Sequence, residues 1–291
     1  MKKVIVGILV MCMLLMTACT QTVQTEGLLL KLEEANTRQA LIKNNARIAY
    51  TATSNYADGT SYTAYTYYDG EKYVYEEDGY VTVDVAGTVT SYWEPDDVHE
   101  VTLYVGEGAY ENEQKQFWPL TWYSYNSAET VLSAIKKDGL LYIETEYAEG
   151  MEEVVAAYGY QTADVEKVSM TYVAKAKTYE LQSLSGTFCM KDGTTVPCLQ
   201  VEKVQDCPEY VVPEGMFQED AETVTVTLIE NPSAAEEQSH EYVVPAGHYI
   251  YLTFSQEYDG IIYADAEYSQ QWDADIYPIA ADIVGYIKKA S

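Results

Sequence analysis

The sequence predicts an α+β fold: an open antiparallel sheet with packed helices, followed by a small β-rich domain. Three observations predict it. Hydrophobic spacing is helical over residues 27–45 and changes to a period of two from Arg47. Asp-Gly dipeptides then separate alternating apolar and polar runs, as tight hairpin turns favour. Composition shifts again near Glu219-Asp220-Ala221-Glu222, after which a new alternating run begins.

Leu28, Leu29, Leu32, Ala35, Leu41 and Ile42 fit one amphipathic helix laid on a sheet. Strands are expected over residues 50–56, 61–68, 71–77 and 80–85, turned by Asp58-Gly59, Asp69-Gly70 and Asp78-Gly79. Val81, Val83 and Val85 share one strand face; further strands are expected over 89–93 and 98–105. Phe117-Trp118-Pro119-Leu120-Thr121-Trp122-Tyr123 breaks the pattern. It either plugs the open edge of the sheet, or Phe117, Trp118, Trp122 and Tyr123 form the lip of an apolar ligand cavity. A helix is expected next, with Asn126 as cap, Ala128, Val131, Leu132 and Ile135 as its stripe, Lys136 and Lys137 in its last turn and Gly139 as its stop. A strand over 140–147 precedes a second helix carrying Met151, Val154, Val155 and Tyr158 between Gly150 and Gly159. Strands resume over 165–173, 178–190 and 195–204.

Thr178-Tyr179-Glu180-Leu181, the Lys191-Asp192-Gly193 turn and Val212-Pro213-Glu214-Gly215-Met216-Phe217 together resemble the closing part of the LolA/LppX-like lipoprotein-carrier family. That resemblance covers residues 27–220. It implies an antiparallel half-barrel wrapped around helices, with a concave face that holds acyl chains. The acidic residue such proteins often carry before the Thr-Tyr segment is replaced here by Ala174-Lys175. Beyond it, Val224, Val226 and Leu228 alternate with Thr223, Thr225 and Thr227. Tyr242-Val243-Val244-Pro245-Ala246-Gly247, Asp259-Gly260, Tyr263-Ala264-Asp265, Trp272 and the run from Asp282 to Lys288 follow in that order. This order is similar to the Listeria–Bacteroides (internalin B-type) repeat. The similarity implies a β-grasp-like module over residues 221–291 that contacts proteins or cell wall on bacterial surfaces.

At the other end, Lys2 and Lys3 precede an apolar run, Val4 to Met16, and then Thr17-Ala18-Cys19. A positive start, a short apolar core and small residues before a cysteine make a secretory signal. The run is shorter than the roughly 20 residues a spanning helix needs, although an uncleaved anchor or ordinary secretion remains the alternative. The ending resembles the lipobox of bacterial lipoproteins. That implies cleavage after Ala18, palmitate-type acyl chains on Cys19, a lipidated tether over 19–26, and a place on the cell membrane facing away from the cytoplasm.

Charge sets the next bounds. The chain has 17 basic and 46 acidic residues, net −29; loss of Lys2 and Lys3 leaves 15 against 46, or −31. Such a surface repels phosphates, so a nucleic-acid partner is not expected. It repels anionic lipid head groups too, so the acyl chains must anchor the protein by themselves. At 47% apolar residues the chain has material for a core, and its 29 tyrosines against 4 phenylalanines suit half-exposed sheet faces.

No pattern announces catalysis. His99-Glu100 and His240-Glu241 lack the second histidine of a zinc-protease helix, and His248 has no neighbour at ligand spacing. Asp265, Glu267, Asp273 and Asp275 lack the glycine and spacing of a calcium loop. Neither a metal nor a cofactor is expected, and the protein is read as a non-enzyme. Cys189 and Cys198 flank the Asp192-Gly193 turn; pairing Lys191 with Val196 would set them opposite, within reach of a cross-strand disulfide. Cys207 is then a buried thiol, or the true partner of either. Two functions follow: a lipid-anchored protein binding an apolar or amphipathic ligand in the half-barrel, or a structural, adhesive lipoprotein whose C-terminal module contacts a surface partner.

Overall fold

The computed structural model describes residues 21–85, 88–106, 109, 129–212, 222–230, 238–271 and 279–290. Several expectations lie outside them: the signal segment 1–18, Cys19, the candidate lip of Phe117, Trp118, Trp122 and Tyr123, residues 213–217 of the carrier-like pattern, and Trp272 of the repeat-like one.

The chain is sheet-rich with few helices. In order it forms β1 (Gln21–Thr22), α1 (Leu28–Ala35), α2 (Arg38–Ile42), β2 (Ile48–Asn55), β3 (Ser61–Tyr68), β4 (Lys72–Glu77), β5 (Tyr80–Val85), β6 (Thr88–Trp93) and β7 (Val98–Val105). Then come β8 (Thr130–Lys137), β9 (Leu140–Tyr147), α3 (Glu152–Ala157), β10 (Val165–Lys175), β11 (Leu181–Met190) and β12 (Thr195–Lys203). Last are β13 (Thr223–Glu230), β14 (Gln238–Pro245), β15 (Tyr249–Phe254), β16 (Tyr258–Tyr263) and β17 (Ile283–Lys289). No helix among the described residues is long and apolar enough to cross a membrane.

Two compact units emerge: Met1–Ala64 with Phe117–Asp206, and Tyr65–Gln116 with Cys207–Ser291. Their boundary falls inside β3. The stretch expected as one carrier-like domain, 27–220, is therefore shared between both.

In the first unit the strand order is β1-β8-β9-β10-β11-β12-β2-β3. Alternation sorts its residues by face. Ile143, Thr145 and Tyr147 of β9, Val168, Met170 and Tyr172 of β10, Leu184 and Phe188 of β11, and Leu199 and Val201 of β12 are all buried, while the residues between them are mostly polar. Tyr158, just past α3, lies edge-on to Phe188 at 5.5 Å and so closes one end of this face. At Gly186 the face is tightly filled, since a Cβ there would stand 3.1 Å from Cys198 Sγ and 3.2 Å from Met170 Sδ.

Three expectations change in this unit. The single helix over 27–45 is two helices, because Asn36 leaves the helical path and Thr37 starts α2 by accepting from the Ala40 N–H at 3.3 Å. Asn36 is drawn off by its side chain, which donates to Leu32 O (2.7 Å) and Tyr179 O (2.9 Å) and accepts from Leu181 N (2.8 Å). The helix expected after Asn126 is strand β8. Asp138 (φ 52°) and Gly139 (φ 81°) form the turn to β9, with the two positive φ angles that an Asp-Gly hairpin needs. Gly139 thus joins two strands and stops no helix.

The disulfide register is the third correction. Cys189 pairs with Thr195, and the strands slip by one residue between Gly186 and Thr187. Cys198 therefore lies three residues from the position opposite Cys189, about 10 Å along a strand. That exceeds the roughly 7 Å a disulfide spans between Cα atoms. Among the described residues Cys189, Cys198 and Cys207 form no disulfide, and burial pushes Cys198 up to about 12.

The second unit holds the meander β4-β5-β6-β7, with β15 added parallel to β7, and a four-stranded sheet of order β14-β13-β17-β16. Val101, Leu103 and Val105 of β7 share one core with Val224, Val226, Leu228, Val244, Tyr258, Ile262 and Ile287. The segment expected as a separate C-terminal domain is thus built around the last strand of the meander. Glu230, 1% exposed in this core, accepts from Tyr258 Oη at 2.8 Å and pairs with Lys289 Nζ at 3.1 Å. The tyrosines behave as sheet packing should. Tyr50 and Tyr67 are fully buried, and their hydroxyls donate to Leu181 O (2.8 Å) and Asp69 Oδ2 (3.0 Å).

Candidate ligand-contacting face of the first unit

Glu180, buried, and Glu129, half-buried, are two carboxylates of the first unit whose surroundings push them in opposite directions. Glu180 is 2% exposed. Burial raises its pKa, but Lys203 at 2.5 Å, Lys175 at 2.9 Å and Asn45 at 3.3 Å outweigh that and hold the carboxyl below its usual range. It is a structural tie between the β10–β11 connection, β12 and the end of α2. The connection bends sharply here: Tyr179 sits at φ 58°, its N–H donates to Lys175 O at 2.8 Å, and Lys31 lies 5.9 Å over its ring. The Thr178-Tyr179-Glu180-Leu181 motif is therefore a turn that fastens the helices, and β11 begins only at its end.

Glu129, just ahead of β8, has no cation beside it among the described residues. Its Oε1 accepts from Tyr172 Oη at 2.8 Å and from Thr145 Oγ1, both on the apolar face. Thr145 is 1% and Tyr172 2% exposed, so the carboxyl is held against the interior. Burial drives its pKa up, and the two hydroxyls only partly oppose this. Oε2 is buried and has no hydrogen-bond partner. The face is otherwise apolar around it, with Ile143, Met170 and Ala134 among its residues. One polar contact in a greasy surface is what orients an amphipathic ligand.

The second unit brings two histidines together that the sequence keeps apart. Parallel pairing sets Tyr249 against Glu100, so His248 falls beside His99, with ring centroids 5.2 Å apart. Tyr92 lies tilted against His99 at 4.6 Å, and Asp97 lies 3.6 Å from its Nε2. Both Nδ1 atoms are buried without a partner. Burial, and the charge of His99, keep His248 below the usual imidazole value despite its bond to the Ala246 backbone. Asp265, expected at most as a weak calcium ligand, uses both oxygens in its own turn, accepting from Glu267, Ser269 and Gln270. Among the described residues no three His, Cys, Asp or Glu side chains are grouped to hold a metal.

No family model and no curated protein matches this chain. Solved structures similar to it include two at low identity. One is the LolA superfamily protein NE2245 from Nitrosomonas europaea, 12% identical, covering 68% of this chain and 99% of that one, with a TM-score of 0.26. The other is LprF from Mycobacterium bovis, 10% identical, covering 66% and 99%, with a TM-score of 0.27. At these scores the likeness carries no argument about ligand or activity.

Sequence reasoning missed both sites for plain reasons. Glu129 is one of 46 acidic residues, and only its bonds to Tyr172 and Thr145 set it apart. His99 and His248 meet through pairing of strands 149 residues apart, which no local spacing reveals.

Proposed function

We propose that the protein is a non-enzymatic lipoprotein, anchored outside the cytoplasm by acyl chains on Cys19, whose first unit binds an apolar or amphipathic ligand on its buried sheet face. The observation that carries this is the Glu129 carboxyl, fixed by Tyr172 and Thr145 on an apolar face with one oxygen unpartnered. A buried polar atom without a partner is costly, and a ligand that supplies one recovers that cost. The half-barrel suggested by the LolA/LppX-like pattern fits this reading. Phe117, Trp118, Trp122 and Tyr123, which precede Glu129 in the chain, then serve as the lip.

A second reading draws on the tight packing at Gly186, where Cys198, Met170 and Leu199 close in on the face. Here the half-barrel is filled by its own side chains and the protein is structural or adhesive. The C-terminal β-grasp-like module then makes the contact through the outer face of its sheet, where Val243 is 69% and Val284 54% exposed.

Lipid extraction decides between them. The full chain is isolated from membranes of its host, and lipid released on denaturation is identified by mass spectrometry. Stoichiometric lipid beyond the Cys19 acyl groups supports the ligand-binding reading, whereas a lipid-free protein refutes it. Cys19→Ala should release the protein to the medium or block its processing; unchanged membrane retention refutes the anchor.

A further inference from the structure

We infer that the corner of the first unit beside β1 docks on anionic phospholipid head groups; this rests on the Cys19 anchor proposed above.

Charge sorts this unit by its strand ends. β8, β10 and β12 finish at the end where β9, β11 and β2 begin. At one corner of that end lie Lys136 and Lys137, closing β8, with Lys175 closing β10 and Lys177 just after it. Ala176 N donates to Gly139 O at 2.9 Å, so the two lysine-bearing turns are fastened together. Lys31 joins them from α1, over the Tyr179 ring. Lys137 and Lys177 are exposed, and neither they nor Lys136 pairs with a carboxylate among the described residues. The acids of this corner are fewer. They are Glu180, already tied to Lys175 and Lys203, Asp138 in the hairpin, and Glu33 and Glu34 late in α1. The opposite end carries the reverse sign: Asp58, Glu149, Glu152, Glu153, Asp164 and Asp192 stand in its turns and in α3, with Lys191 among them. An evenly acidic surface would leave the acyl chains to anchor alone, but this unit is charged unevenly.

β1 decides which end meets the membrane. Gln21 lies opposite Lys136 and Thr22 opposite Ile135, and Val23 N donates to Ala134 O at 3.0 Å. Residues 21–23 of the expected tether are thus held along β8. The pairing is antiparallel, so the chain enters β1 from the Lys137 end. Cys19 precedes Gln21 by two residues, a reach of at most about 7 Å. Lipid on Cys19 therefore brings head groups within about 8 Å, one screening length, of the corner lysines. There the lysines attract anionic head groups, whereas the acids of the far end, about 25 Å off along the eight-residue β8, are screened. Ile135 and Tyr142 add an apolar part: they face each other across β8 and β9 next to the lysines, each 37% exposed. A tyrosine with its ring against hydrocarbon and its hydroxyl among head groups suits that depth.

The test reads each lysine separately. The lipoprotein is purified from its host membranes, acylation of Cys19 is read from its N-terminal peptide, and the full protein is reconstituted in vesicles. One set is phosphatidylcholine, the other phosphatidylcholine with phosphatidylglycerol. Acetic anhydride, an uncharged reagent, then acetylates the lysines, and peptide mass spectrometry gives the rate at each. Relative to Lys191 at the far end, Lys136, Lys137 and Lys177 should slow by about threefold in the anionic vesicles, the effect of a typical leaflet potential on free amine. Salt at about 1 M should abolish the difference. Lys137→Glu with Lys177→Glu changes only exposed side chains and should remove the slowing at Lys136. Equal rates at Lys136 and Lys191 in both vesicles, or slowing at Lys136 that survives the double variant, overturn the docking alone. A Cys19 peptide without acyl groups overturns the anchor, and this inference with it.

Discussion

Replacing Glu180 by glutamine should cost the first unit more than any exposed ion pair can explain. The carboxylate is 2% exposed and the Lys203 side chain 11%, so this pair sits out of water. Lys175, at 44% exposed, adds little by itself. Glutamine keeps the shape, but its one amide oxygen can accept from Lys203 or from Asn45 and not from both, and the Lys203 ammonium, 3.0 Å from Asn45 Oδ1, loses its counter-charge. Removing one partner of a buried pair costs about 3–5 kcal/mol, because the other charge is left uncompensated. At about 2–4 °C per kcal/mol for a unit of this size, the midpoint should fall by about 6–20 °C. The double variant Glu180→Leu with Lys203→Met removes both charges and should recover most of the loss. The pH dependence has a definite sign. A carboxyl held below its unfolded value gives stability that is full above about 4.5 and is lost as pH falls through its folded value. The gap between wild type and Glu180→Gln should therefore close in acid. Hydrogen exchange of the β2, β11 and β12 peptides in a urea series reads this unit alone. A cost under about 1 kcal/mol, the size of an exposed pair, would refute the buried tie.

Three further outcomes are expected. Gly106→Ala should destabilise the second unit by at least about 2 kcal/mol, because at φ 93° its Cβ would strike Ser255 Oγ and stand 2.5 Å from Tyr258 Cε2; an unchanged urea midpoint would contradict this. His248 is held below its usual value, so the unfolded chain takes up a proton that the native one refuses, and stability of this unit should drop as pH falls below 6.5. His248→Gln should flatten that slope, and equal slopes in both proteins would remove His248 as its source. Cys198, buried and raised to about 12, should resist N-ethylmaleimide in the native state and react in denaturant without reductant. Labelling that requires a reductant would mean a disulfide after all.

Much of the sheet was legible because its signals are local. The Asp78-Gly79 hairpin and the alternation over Ser61–Tyr68, Tyr80–Val85 and Val98–Val105 lie in the sequence as they lie in the structure. β8 was hidden because Val131, Leu132 and Ile135 satisfy helical spacing as well as a strand, and the Asp138-Gly139 turn signal was outweighed by that stripe. The cysteine register failed at the turn, which is closed by Met190 and Thr194 and not by Lys191 and Val196, so that Cys189 faces Thr195. Asn36 looked like an ordinary helical residue, yet its amide is used up on Leu32, Tyr179 and Leu181, two of them more than 140 residues away. Long-range pairing also hid the union of β7 with β15, and with it the shared core of the second unit.

The most direct test of the central claim is where a bound acyl chain touches the protein. Dioleoylglycerol carrying a photoreactive diazirine at its chain end is incubated with the full-length protein in membranes, cross-linked, and the adducts mapped by peptide mass spectrometry. Ligand on the buried face predicts adducts at Ile143, Met170 and Tyr172. Adducts confined to Tyr142, Thr171 and Ser185 on the opposite face, or to the second unit, would contradict it.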